Sequence, residues 1–66
     1  MYNTGDFVEV TASNEDIECV GADLQLKKGD VVKVIKTWGT GWICVEGIYL
    51  DSPCEADVPP YFLKKV

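Results

Sequence analysis

Apolar and polar residues alternate in short bursts along this chain, and no segment keeps a helical period over three turns. The stretch "DFVEVT" at residues 6–11 sets Phe7, Val8 and Val10 around Glu9 and predicts a first short strand. In "ASNEDIECVGA" at 12–22 the alternation breaks. Glu15, Asp16 and Glu18 fall there with no lysine among them, and Asp23 follows directly, so the segment predicts a long acidic loop. Long loops in compact domains often carry function, although this one also reads as a solvated excursion tacked down by Ile17 and Val20. "LQL" at 24–26 restores alternation, "KKGD" predicts a turn, and "VVKVIK" at 31–36 predicts the second strand, with Val32 and Val34 on one face.

"TWGTGW" interrupts that strand with two glycines, which permit the positive φ of a hairpin turn, and "WICV" resumes the β pattern as a third strand. "EGIYLDSPCEADV" predicts a long or irregular hairpin before a short strand around Val58. In "PPYFLKKV" the prolines disfavour continuous sheet, and one tight helical turn with a terminal strand fits the rest. The pattern predicts an all-β fold, a small five-stranded antiparallel barrel with one short 3-10 turn near the C-terminus, as a single domain over residues 1–66. Phe7, Val8, Val10, Leu24, Leu26, Val32, Val34, Ile43, Val45, Val58 and Leu63 are the candidate core. Each would contribute on the order of 1.5–3 kcal/mol by burial, before chain entropy is counted.

At 66 residues the chain lies near the lower limit for an unaided apolar core, which argues against a large catalytic cleft. Eleven acids face six lysines, with no arginine and no histidine, for a formal charge of -5. An acidic surface repels phosphate, so nucleic acid is disfavoured as a partner and basic proteins or peptides are favoured. The three cysteines, at 19, 44 and 54, cannot all pair within the chain. They form neither a CxxC pair nor a zinc set and read as reduced thiols, with Cys44 a small core filler in a strand. No apolar run exceeds four residues and the N-terminus lacks a secretory pattern, so no membrane span is expected and the expected location is cytoplasmic. The start at Met1 and the close fit of barrel to chain favour an independent product over an excised module.

Without histidine, a glycine-rich phosphate loop or a nucleophile beside an activating partner, no enzyme and no catalytic residue is expected. "NEDIE" lacks the alternating oxygen ligands and central glycine of a calcium loop, so no metal and no cofactor is expected either.

Three blocks in succession resemble the Src homology 3 (SH3) pattern over roughly Phe7 to Val66. "ADLQLKKGDVVKVI" is similar to its acidic residue, lysine-rich Gly-Asp turn and following strand. "GTGWICV" is similar to its hairpin and tryptophan strand, and "VPPYFL" to its proline and short helical turn. The resemblance implies an SH3-like barrel that recognises proline-rich peptides in the polyproline II conformation. There, aromatic ridges pack on the peptide and loop carboxylates pair with a flanking basic residue. Carried over by position, Trp42 resembles the groove tryptophan, Pro59 the proline that opens the helical turn, and Phe62 a groove tyrosine. A one-residue slip would put Tyr61 in that place. Glu15, Asp16, Glu18 and Asp23 lie in the loop that supplies carboxylates, and Trp38 across the turn would widen the groove. The chain departs from the pattern at "FVEVTAS", where Glu9 and Thr11 stand for two groove tyrosines, and Phe62 lacks the tyrosine hydroxyl.

Three readings follow. The first is a protein-interaction module that holds a proline-rich or basic peptide, or a partner loop. The second is a small stand-alone acidic inhibitor or adaptor, bacterial or viral, docking on a basic surface. The third is a structural subunit of a larger complex, so the chain is a monomer or one part of an assembly. A tryptophan at a hairpin can also simply cover the mouth of a small core.

Overall fold

The computed structural model describes residues 2–66, and of residues 48 and 49 the backbone alone. Strand β1 (Phe7–Val10) leads into helix α1 (Asn14–Cys19), then β2 (Val31–Thr37), β3 (Ile43–Tyr49), β4 (Ser52–Val58), a 3-10 helix (Pro60–Phe62) and β5 (Leu63–Lys65). The strands form one antiparallel sheet in the order β4-β3-β2-β1-β5, with an irregularity between Val34 and Lys36 on β2. Mostly strand, with little helix and one 3-10 turn, this is a small SH3-like barrel, as the sequence predicts.

Side chains on a strand alternate between faces, and that period separates the core from the outside. Val8 and Val10 of β1 and Val32 and Val34 of β2 point inward to meet Ile43, Val45, Val58 and Leu63. Phe7, expected in the core, is exposed, because inward-facing Val8 and Val10 leave Phe7 and Glu9 on the outer face. Leu24 is exposed too. The "LQL" stretch forms a turn in which the N–H groups of Gln25 and Leu26 both donate to the carbonyl of Ala22, and only Leu26 turns inward.

Residues 12–22, expected as loop, contain α1. Ser13 caps it, accepting the N–H of Asp16 on its hydroxyl oxygen at 3.1 Å, and the acidic Glu15 and Asp16 sit favourably in the first turn. The far end closes as a Schellman motif. Gly21 N–H donates to Glu18 at 3.0 Å and Ala22 N–H to Ile17 at 3.1 Å, with Gly21 at φ 76. Ile17 and Ala22, brought together by this cap, both enter the core.

The β3-β4 connection also differs from expectation. It is a regular hairpin closed by two residues, Leu50 and Asp51, at φ 51 and 62. Those angles mark a type I′ turn, whose twist matches that of the flanking strands. At the other end of β3, Trp38 N–H donates to the Trp42 carbonyl at 2.9 Å and Gly41 N–H to Trp38 at 3.0 Å, with Gly41 at φ 95. The expected "TWGTGW" turn therefore forms.

Candidate functional site

Trp42 directly precedes β3, where the short hairpin holds it by its own carbonyl, and 37 % of its surface remains exposed. It lines a cleft of about 410 Å³. One wall is the segment after α1, with Val20, Gly21, Ala22 and Gln25, and the other is β4, with Glu55, Ala56 and Asp57. The Schellman cap fixes the first wall and the hairpin register fixes the second, so the cleft is built by ordered backbone on both sides.

Trp38 serves a different purpose from the widening expected of it. Its indole N–H donates to the Asp57 carboxylate at 2.8 Å, and the Lys36 ammonium sits 4.0 Å from its ring centroid. The ring is thereby tied to the outer face of the sheet, and Trp38 does not line the cleft.

The residues of the 3-10 helix separate into inside and outside. Phe62 is only 5 % exposed and belongs to the core, whereas Tyr61 is 79 % exposed. Their rings meet edge to face at 5.3 Å. The preferred assignment of Phe62 to the groove is therefore corrected. Three donors from β1 and its continuation, the Thr11 N–H, the Thr11 hydroxyl and the Ala12 N–H, converge on the Phe62 carbonyl and hold that residue under the barrel. Pro59 is buried as well. The exposed aromatic of this segment is Tyr61, the residue offered by the one-residue slip.

Glu15, Asp16 and Glu18 are exposed on α1, and none of them lines the Trp42 cleft. The carboxylates that do are Glu55 and Asp57. Sequence reasoning passed over them because acids alternating along a strand look like any solvated strand face. On that face Asp57 stands opposite Cys44, and Glu55 opposite Glu46. Glutamates placed directly across a ladder repel, so this side of β3-β4 is electrostatically unbalanced. Burial pushes the Cys44 thiol up to about 11, helped by its hydrogen bond to Asp57 and by the charges of Asp57 and Glu55. Its sulfur also lies 3.7 Å from Glu55. Cys44 is thus a buried neutral thiol, a strand filler as expected. No group of metal-ligating side chains comes together among the described residues.

A larger cleft of about 640 Å³ shares only Gln25 with the first. It gathers the exposed Phe7, Leu24 and Val31 beside Lys27, Lys33 and Glu46.

Against this geometry stands one match to known families: residues 4–47 fit the model described as variant SH3 domain. The chain belongs to that SH3 family. The matched span runs from before β1 through most of β3 and includes α1 and Trp42; Pro59, Tyr61 and Phe62 lie beyond it. Neither the curated proteins nor the solved structures gave a match. SH3 domains are in general non-catalytic modules that bind proteins or peptides, and membership of the family suggests an interaction role in general for this chain.

Proposed function

We propose that this SH3 domain recognises a basic peptide, or a basic loop of a partner protein, at the cleft beside Trp42. The observation that carries this reading is the meeting of a half-exposed indole with two exposed carboxylates, Glu55 and Asp57, across one cleft. A flat apolar ring excludes water along one side of a bound side chain, and carboxylates at its rim select a lysine or arginine. With Pro59 and Phe62 buried, Tyr61 is the exposed aromatic of the 3-10 helix. Charge therefore counts for more than proline content in choosing the ligand. The acids of α1 add a wider negative field that attracts the same partner from a distance.

The test is an amide NMR titration with basic peptides, some proline-rich and some not, at two salt concentrations. Saturable shifts at Trp42, Glu55 and Asp57 that weaken with salt and vanish in Trp42→Ala are the expected result. Shifts confined to other faces, or silence across the panel, would overturn the reading.

The exposed Phe7, Leu24 and Val31 favour a second reading, permanent docking of the barrel in a larger assembly through that apolar cleft. Self-association of the isolated protein, abolished by Leu24→Lys, would support it; a clean monomer at high concentration would count against it.

A further inference from the structure

We infer that the ligand of the Trp42 cleft binds as an added β-strand, pairing its main chain with the outer edge of β4 at Glu55 and Asp57. This inference rests on the peptide-recognition reading above and specifies its geometry. β4 is the last strand of the sheet on its side. The hairpin register decides where its main-chain groups point. The two-residue turn makes Tyr49 and Ser52 a hydrogen-bonded pair, and such pairs alternate with open ones along an antiparallel ladder. Gly47 with Cys54, Val45 with Ala56 and Ile43 with Val58 are therefore bonded. Pro53, Glu55 and Asp57 occupy the open positions and turn their main-chain groups away from β3.

Proline at 53 fits this phase, since a residue without an N–H loses nothing there. It also blocks the edge near the hairpin tip. No such block stands at 55 or 57, and among the described residues no turn or loop backbone bond reaches either of them. The unblocked part of the edge is the part that faces the cleft. The opposite wall holds Val20, Ala22 and Gln25. A cleft of about 410 Å³ accommodates a few residues of extended chain.

The side chains of β4 then dictate the sequence of the guest. Residues paired with Glu55 and Asp57 share their outer face, where Glu46 adds a third carboxylate, so both are lysine or arginine. The residue between them points inward beside Ala56 and toward Val20 and Ala22, which calls for a small apolar side chain. The ligand is a basic–apolar–basic extended segment of a partner protein.

The probe is a synthetic peptide of alternating lysine and valine, titrated into the full chain by NMR and calorimetry beside a proline-rich basic peptide. Glu55→Pro, compared with Glu55→Gln, which removes the charge alone, removes one outward N–H while leaving the β3 ladder intact, as Pro53 already does. Strand addition predicts that this variant keeps its thermal transition and loses about tenfold in affinity for the lysine–valine peptide. For an antiparallel guest, in which the lysines are the residues bonded to Glu55 and Asp57, it predicts that N-methylation of the lysine amides abolishes binding whereas N-methylation of the valine amides does not. It also predicts that exchange of the Glu55 and Asp57 amides slows on binding. Unchanged affinity in Glu55→Pro, or equal effects of the two N-methylation patterns, would overturn strand addition. If Trp42→Ala still abolished binding in that case, the recognition reading would survive. Failure of both peptides to bind would end both. Should Glu55→Pro unfold, the N-methylated peptides decide the question on the unaltered protein.

Discussion

The indole N–H of Trp38 donates to the carboxylate of Asp57 at 2.8 Å, tying the turn between β2 and β3 to the far edge strand. This bond crosses β3 on its outer face and fixes the side chain of a residue that also lines the Trp42 cleft. Trp38→Phe deletes the donor and keeps a smaller aromatic ring beside Lys36. Because the bond is exposed, the expected loss of stability is modest, about 0.5–1.5 kcal/mol. A urea-denaturation double-mutant cycle with Asp57→Ala measures the coupling, and a cycle that closes at zero would show the bond to be idle.

Gly47 is required by a close approach rather than by its backbone angles. A Cβ built there would lie 2.8 Å from both the Cβ and the carbonyl oxygen of Gln25, so the turn at 22–26 could not rest on β3 as it does. Gly47→Ala should cost about 1–3 kcal/mol, as overpacking against backbone generally does. Gly39→Ala is the control, since nothing lies within 4 Å of a Cβ at that position. Equal chemical-denaturation midpoints for the two variants would refute the steric account.

The cap of α1 allows a third test. Ser13→Ala removes the acceptor of the Asp16 N–H and should destabilise the protein by about 1 kcal/mol, while Ser13→Gly should cost only a few tenths. Amide exchange should accelerate first at residues 15–18. If neither substitution lowers stability, the cap contributes nothing.

The strands of this barrel were legible because β-branched residues alternate with polar ones in "FVEV" and "VVKV", and because glycine marks the turns in "KKGD" and "GTGW". Helix α1 was not, since six residues are too few to show a period. Its signals were local, a serine three residues before an aspartate and a glycine after the last turn. The Leu50–Asp51 turn lacks the Asn-Gly or Asp-Gly pair that usually announces type I′ geometry. In the candidate site Trp42 was readable as an indole on a hairpin. Glu55 and Asp57 were not, because only the folded chain sets β4 against residues 20–25. Tyr61 and Phe62 could exchange roles on paper, and the bonds from Thr11 and Ala12 to the Phe62 carbonyl decide which ring goes inward.

Cys44 links the acidic face to pH. Its thiol is raised from 9.0 to about 11 in the fold, first by burial and then by Asp57 and Glu55, so the folded state holds its proton more tightly than the unfolded chain. The sign follows from that difference. Below pH 9 both states are protonated and the contribution to stability is fully present. As pH rises from 9 toward 11 the unfolded chain ionises first and the contribution is lost. The comparison is with Cys44→Ala, in which the thiol's share is missing. Urea midpoints should fall more steeply above pH 9 in the parent than in this variant. At pH 8 the exposed Cys19 should react with a thiol reagent well before Cys44 does. Parallel pH profiles, or Cys44 labelling as fast as Cys19, would mean that the thiol is neither sealed from water nor held neutral by its two acidic neighbours.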